Sequence, residues 1–556
     1  MENQFKYSLS TIIKRLLKFA RPIKSYLIIS TLASIIGNLS HIGLMGFGSL
    51  YLLSLTSYLN TNPDKWLILT IISASLIAIC RYLEGVYSHI GAYGVLASLR
   101  VHLFSIIDRI SPAFLIDHKK GDLMSIAIND IETLEYFFAH TIGPMFTVII
   151  LPLVTLFVAY QIHPYYFMVL LPLFILISIV IPLIALKAGN NIGMNYRKSL
   201  GELKSLVLES VYGIRDIQIY NDGEKRLEKI LNENEIVNKA SHGLTLHQQI
   251  LSSVPNFFIY IARILIIVVS AYLISINQNN PSGIILISFV AAASFSSTFS
   301  LTFVVTHLLE TFAAAKRIFI IEDTIPTVNQ KETTQTCGEI QNIKFNNVSF
   351  TYPNTDVEVL KNLNFEIKKG DKIGIFGPSG IGKSTLFRLL LRFYDPNSGT
   401  ISFNHIDLKD LSFNEIYQRI GMLEQETYLF DDTIFNNIAI AKEGASLDEV
   451  KKAAEKAGIA SLIDTLPEGY NTEMGQMASR LSGGEKQRIG IARIMLACPD
   501  IIVMDEPTSA LDVFHEKELL HTLKTEYSDA TWLIISHRMS TLTCCNRLYK
   551  LENGQL

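Results

Sequence analysis

The sequence predicts an all-α domain of six membrane-spanning helices followed by an α/β domain built around a phosphate-binding loop. Three observations carry that expectation. A mean hydropathy of +0.30 with only 18% charged residues is too apolar for a water-soluble protein, and 556 residues are too many for one core. Apolar stretches fill the first half, each long enough to cross a hydrocarbon layer that takes about 20 helical residues. In the second half, Gly377–Thr385 reads G-P-S-G-I-G-K-S-T between a strand-like run, Asp371–Phe376, and a helical one, Leu386–Phe393.

At the start of the chain, Thr11–Pro22 places Lys14, Arg15, Lys18 and Arg21 on one side of a helical wheel and Ile12, Ile13, Leu16, Leu17 and Phe19 on the other. Such a helix lies along a membrane surface. The apolar run begins late and lacks a small-residue cleavage pattern, so no cleavable signal peptide is expected. The spans follow near Tyr26–Ser57, Trp66–Ser88, Thr141–Tyr160, Tyr165–Leu186, Ile250–Ile276 and Ile284–Leu308. The turns Leu59–Lys65, Gln161–Pro164 and Asn277–Gly283 are short and nearly free of cations. The amino terminus, Arg100–Lys120 and Lys187–Lys239 are rich in Lys and Arg, which puts them and both termini on the cytoplasmic side. The two long excursions keep helical spacing, with contact elements expected at their tips, Ser111–Asp122 and Glu209–Asp222.

Ionisable groups within spans are costly and face a cavity or a partner. Arg81, Gly85 and His89 recur every four residues with Glu84 and Ser88 beside them, and the sixth span ends with His307 and Glu310. A water-lined path is the natural reading. Taken singly, each His reads as a packing or headgroup-level residue; together, Arg81, His89 and His307 make a metal-porphyrin or anionic-substrate site worth testing.

The domain boundaries are expected at 1–320 for the membrane domain, 321–339 for a polar linker and 340–556 for the α/β domain. A net charge of −3 gives no basic surface for nucleic acid. The five cysteines, Cys80, Cys337, Cys498, Cys544 and Cys545, form no paired framework and read as reduced and structural.

In the phosphate loop, Gly377, Pro378, Ser379, Gly380, Ile381, Gly382, Lys383, Ser384 and Thr385 would cradle ATP, with Lys383 on the terminal phosphates and Ser384 on Mg²⁺. Further motifs follow in order. Tyr352 lies in S-F-T-Y-P, Gln425 in G-M-L-E-Q-E-T-Y-L-F, and L-S-G-G-E spans Leu481–Glu485. I-I-V-M-D-E ends in Asp505 and Glu506, S-A-L-D in Asp512, and W-L-I-I-S-H in His537.

Six spans, intracellular helical extensions and this motif order resemble an ABC exporter half-transporter. The resemblance implies that Tyr352 stacks on adenine and that Ser384, Gln425 and Asp505 hold Mg²⁺. It makes Glu506, with Gln425 and His537, the catalytic group acting on water. Ser482, Gly483, Gly484 and Glu485 would clasp ATP bound by a second subunit, and Asp512 would communicate between the two sites. One chain supplies half of such a machine, so two chains sandwich two ATP molecules, and closure drives the spans between inward and outward access.

In the membrane half, R-Y-L-E-G-V-Y-S-H at Arg81–His89, V-L-A-S-L-R at Val95–Arg100, I-S-P-A-F-L at Ile110–Leu115 and the following G-D-L-M-S-I-A-I-N-D-I-E-T-L-E resemble the CydC-type subunit. That resemblance covers nearly the whole chain. It implies a bacterial inner-membrane exporter paired with a CydD-type chain and serving cytochrome bd assembly, with glutathione, cysteine or haem as cargo. His89 matches a family histidine implicated in haem binding, with His307 a less securely aligned second.

Three departures stand out: Glu485 replaces the usual Gln, Thr472–Arg480 reads T-E-M-G-Q-M-A-S-R, and no terminal helical extension follows E-N-G-Q-L. Glu485 is expected to put an extra carboxylate near the dimer face and to slow hydrolysis at the partner's site. The rival readings are a homodimeric lipid, peptide or drug exporter, and a membrane-bound regulatory subunit that binds ATP without turning it over.

Overall fold

The computed structural model describes residues 7–56, 59, 61–117, 120–276, 281–329, 335–353, 355–475, 481–508, 513–527 and 530–556. The chain divides into two compact units: Met1–Asp108 with His118–Thr324, and Arg109–Asp117 with Ile325–Leu556.

The first unit is helical. Its opening helix, Leu9–Phe19, starts where the Ser8 side chain accepts a hydrogen bond from the Thr11 N–H, and it buries Ile12 and Leu16. Arg15, expected on the lipid-facing polar side, instead turns into the protein. Its guanidinium donates to Glu322 at 2.6 Å and to both carboxylate oxygens of Asp323 at 2.6 and 2.8 Å, over the face of Phe319. The Tyr7 hydroxyl donates to the same Asp323, and His102 approaches Glu322 at 3.3 Å. A planar fork matched to two carboxylates exceeds what lipid headgroups offer, so the pairing wins over the surface orientation.

The junction's titration is set by its partners. The Arg15 hydrogen bond holds Asp323 below the usual carboxylate range, while burial and then the Asp323 hydrogen bond push Tyr7 from 10.0 to about 12. A depressed carboxyl stabilises above its ordinary pKa of 3.8 and stops as pH falls through its lowered value. A raised phenol stabilises fully below 10.0 and stops as pH rises through about 12. We expect Arg15→Ala to cost about 2–3 kcal/mol in detergent, since it strands two half-buried carboxylates. Thermal melts from pH 5 to 9 should show that loss undiminished.

Five helical segments are long and apolar enough to cross a membrane: Arg21–Ser54, Pro63–Ile110, Gly121–Ile162, Pro164–Ile184 and Gly223–Ser275. A sixth helix, Pro281–Glu322, carries the shorter apolar stretch Ser282–Phe295. The spans expected from hydropathy lie within these helices, several of which run far beyond them: Pro63–Ile110 continues for 48 residues and Gly223–Ser275 for 53. Short helices at Ala113–Asp117 and Ile214–Ile219 occupy the two expected tips. The fourth, fifth and sixth helices share a dry core of Leu170, Phe174, Ile259, Ile266 and Phe295, in which Phe174 stacks on Phe295 at 4.5 Å. The third is irregular before it enters the bilayer, passing through a π-helical turn at Ile126–Asp130 and short segments at Ile131–Thr133 and Glu135–His140.

The second unit carries two sheets. In the antiparallel one, β1 (Asn342–Thr351) lies between β2 (Glu358–Lys368) and β4 (Ser398–Phe403), with β5 (Ile406–Asp407) beyond β4. The parallel one is built from β3 (Lys372–Phe376), β6 (Ile420–Leu423), β7 (Ile501–Asp505), β8 (Thr531–Ile535) and β9 (Arg547–Lys550), ordered β6-β7-β8-β3-β9. β7 and β8 read as continuous apolar runs because helices cover both faces of a parallel sheet, and Ile501–Met504 and Trp532–Ile535 are buried throughout. The crossovers bring the carboxyl ends of β3, β6, β7 and β8 to one edge, where open α/β sheets place their ligands.

Candidate functional site

That edge collects most of the motif residues. The loop after β3 enters its helix, Lys383–Leu390, through Gly377 at φ +156° and Gly382 at φ +110°. A Cβ on Gly377 would stand 2.7 Å from the Leu551 carbonyl oxygen and one on Gly382 2.6 Å from Val359, so neither site accepts a side chain. Lys383 is buried, its ammonium donating to the Gly377 and Pro378 carbonyls at 2.9 and 2.8 Å. The Lys is thus held across the loop that Pro378, Ser379, Gly380 and Ile381 form, where it can exchange a carbonyl for a phosphate oxygen.

β7 delivers Asp505 and Glu506. Burial pushes the Asp505 carboxyl up from its ordinary range; a hydrogen bond from Ser384 and the charges of Arg388 and Lys383 pull it back. A buried carboxylate beside a serine oxygen suits a hard cation such as Mg²⁺. Glu506 adopts a left-handed φ of +49°, with its N–H donating to the Ile535 carbonyl at 2.8 Å. That turn aims its carboxylate at the end of β8, 3.2 Å from His537 Nδ1. Gln425 lies two residues beyond β6, exposed; since Leu423 pairs with Met504, its loop runs beside the two acids. Ser509–Asp512 lies outside the described residues, as does Gln476–Arg480.

Tyr352 is more constrained than a strand-end aromatic needs to be. Its ring stands edge-on to Phe350 and Tyr394, and its oxygen lies 2.9 Å from Thr385 Oγ1 and accepts from Arg388 at 2.9 Å. Arg388 carries no motif signal, because its partner is 36 residues away on another element. We expect Arg388→Ala to weaken ATP binding about three- to tenfold and tripolyphosphate binding hardly at all, as one charge-assisted hydrogen bond is lost. Tyr352→Phe should show the same loss, and the double variant no more.

The signature helix, Gly483–Ala497, is capped by Ser482 in a reciprocal box. Ser482 N–H donates to the Glu485 carboxylate at 2.7 Å, and Glu485 N–H to the Ser482 hydroxyl at 3.3 Å. The expected extra charge at Glu485 is therefore folded back onto its own helix terminus. Glu485→Gln preserves the box and removes the charge, so thermal stability should shift by under about 1 kcal/mol. If the carboxylate retards turnover by repelling γ-phosphate, ATPase activity should rise about two- to fivefold.

Two further positioning residues are silent in sequence. Arg493, on the signature helix, donates to the Asn437 and Tyr428 carbonyls at 2.7 and 2.9 Å, and Gln487 donates to the Gln425 carbonyl at 3.4 Å. The Gln425 loop is thereby fastened to the signature helix. Glu516, buried, accepts from Ser540 at 2.7 Å and Thr541 at 2.9 Å and pairs with Arg538, holding the loop that presents His537.

The family described as ABC transporter transmembrane region matches residues 27–299, and that described as ABC transporter matches 360–509. A Haemophilus influenzae protein described as a probable ABC transporter ATP-binding/permease protein is 31% identical over 98% of this chain and 99% of its own. The chain belongs to the ABC transporter family. It is a multi-pass membrane protein of the exporter type whose ATP-binding domain couples ATP hydrolysis to transport. The glutathione/L-cysteine transport system ATP-binding/permease protein CydC of Escherichia coli is 27% identical over 86% of this chain and 83% of that protein. An ATP-bound bacterial Atm1-family ABC exporter shares the fold with a TM-score of 0.82 at 22% identity, covering 96% of this chain and 94% of the other.

Within the first unit of this ABC exporter, the residues expected to meet a cargo are distributed unevenly. Arg81 is neutralised where it stands, donating to Glu84 at 2.8 Å and to Asn38 at 3.0 Å. Its face is thus not the cationic surface expected. His89 Nδ1 lies 2.9 Å from Glu135, while the His307 ring stacks on Tyr136 at 4.0 Å. His140 stands between, its ring 5.2 Å from His89 and 4.9 Å from Tyr136. His307, His140, Tyr136, Glu132, Glu135 and Glu310 line a cavity of about 240 Å³. Glu135, Tyr136 and His140 escape a reading of sequence because E-Y-F-F-A-H looks like the ordinary approach to a span.

Proposed function

We propose that the protein is one half of a dimeric ATP-driven exporter of the CydC type, sited in a bacterial inner membrane with both termini and the nucleotide domain cytoplasmic. The observation that supports it best is the convergence of the Lys383 loop, Asp505, Glu506 and His537 on one edge of the parallel sheet, in a chain that also carries the spans. Tyr352 stacks on adenine, and the N–H groups of Gly377–Thr385 with Lys383 hold the phosphates. Ser384, Asp505 and Gln425 supply oxygens to Mg²⁺, which when bound neutralises charge on the phosphates. Glu506 takes the proton of the attacking water, and His537, within reach of Glu506, orients that carboxylate and the γ-phosphate. Ser482, Gly483, Gly484 and Glu485 form the positive end of a helix that meets nucleotide held by the second subunit, and Asp512 links the two sites.

The cargo is a small thiol, glutathione or cysteine, exported with a CydD-type partner in support of cytochrome bd assembly. The membrane motifs and the CydC relative support that choice over haem and over a lipid, peptide or drug exported by a homodimer. Inverted vesicles containing both chains should accumulate cysteine or glutathione when given ATP, and vesicles with this chain alone should not. Full ATPase and uptake by this chain alone would establish the self-paired exporter. ATPase of the assembled pair that is unaltered by Glu506→Gln would leave this chain a regulatory subunit.

A further inference from the structure

We infer that the cavity beside Tyr136 is a binding site for a small solute bearing an ammonium group, held by Glu135 and Glu310 and by the aromatic faces around them. The inference rests on the exporter reading and narrows its cargo: the amine, rather than the thiol or a porphyrin, is the recognised end.

Size comes first. At about 240 Å³ the cavity is below the roughly 300–1,000 Å³ that accepts drug-sized ligands, which leaves room for a few-carbon amine and not for a macrocycle. Charge agrees. Among the described residues the lining holds three carboxylates, Glu132, Glu135 and Glu310, and neither Lys nor Arg. Arg81 supplies no counter-charge, being engaged by Glu84 and Asn38. His89 and His307 approach Glu135 and Glu310 at 2.9 and 3.8 Å, but a neutral imidazole donates an N–H without cancelling the negative charge. Carboxylates beside a hydrocarbon layer are costly until a cation meets them, and a ligand ammonium does so with charge-assisted hydrogen bonds.

The aromatic groups favour the same chemistry. Tyr136 is flanked by His307 at 4.0 Å and His140 at 4.9 Å, and the negative face of such a ring attracts an ammonium. An anionic ligand meets the carboxylates as like charges, which disfavours a porphyrin carrying its own carboxylates. Among the described residues, no group of three or more His, Cys, Asp and Glu is arranged to hold a metal ion. Placement fits an entry site as well, since His89, Glu135 and His307 lie where the second, third and sixth helices leave their apolar stretches for the long extensions.

The test uses the full-length chain in lipid nanodiscs, with its partner, titrated calorimetrically with four probes. Cysteamine carries thiol and amine, 3-mercaptopropionate thiol and carboxylate, propylamine the amine alone, and haemin the porphyrin. Cysteamine is expected to bind at least about tenfold tighter than 3-mercaptopropionate, with propylamine close to cysteamine. Glu135→Gln should lose about tenfold for both amines, while Glu135→Asp keeps most of the affinity. Equal binding of 3-mercaptopropionate and cysteamine would overturn the inference and leave the thiol reading standing. Glu135-dependent binding of propylamine without vesicle uptake of cysteine or glutathione would do the reverse. Binding of haemin alone, or of no probe, overturns it. Should Glu135→Gln not fold, the ranking of the four probes on the unaltered protein decides.

Discussion

Glu506→Gln is expected to slow ATP turnover by about 10²–10⁴-fold while nucleotide stays bound. The amide keeps the shape and the left-handed turn at φ +49°, so the N–H bond to Ile535 survives, but it no longer accepts a proton from water. Asp505, Ser384 and Lys383 are untouched, which is why affinity should be preserved and a closed, ATP-loaded dimer should accumulate. Single-turnover measurements with Mg²⁺ and ATP separate the two effects. A loss of affinity equal to the loss of rate would show that Glu506 acts on binding rather than on water. His537→Ala should cost less than Glu506→Gln, because its imidazole reaches the carboxylate at 3.2 Å and does not replace it.

Arg493→Ala is expected to be the most damaging single change to stability in the nucleotide domain, at about 3–5 kcal/mol. The guanidinium is the only donor named for the Asn437 and Tyr428 carbonyls among the described contacts, and it also reaches Asn437 Oδ1 at 3.1 Å. Asn437 is itself buried and accepts from Phe430 N–H at 2.8 Å, so the loss spreads into the Tyr428–Phe430 loop. Urea unfolding should report the loss. Arg493→Lys should recover only part of it, because an ammonium cannot reproduce the planar fork. Retention of full stability in Arg493→Ala would show that water satisfies those carbonyls.

The nucleotide edge was largely legible because it is local. A strand, a glycine turn and a helix follow each other at Gly377–Ser384, and two acids end an apolar run at Asp505 and Glu506. The spans were legible for the same reason, since hydropathy needs no partner. The capping box at Ser482 and Glu485 was also on the surface of the sequence, as S-x-x-E at a helix start, and the comparison with the usual Gln obscured it. What stayed hidden depends on distant pairing. Arg15 reads as a lipid-facing cation until Glu322 and Asp323 are brought to it, and Arg81 reads as an open charge until Asn38 closes on it. Tyr136 and His140 gain meaning only when the sixth helix sets His307 against them.

The Arg15 fork also dictates an order of assembly. Arg15 emerges from the ribosome 308 residues before the Asp323 it must grip. Until the last span is inserted, the opening helix has no carboxylates to hold and rests at the lipid headgroups, the setting its amphipathic pattern suits. Docking of this helix thus marks a completed membrane bundle, and a protease site engineered beside Ser8 would turn from cleavable to protected as synthesis of that bundle finishes.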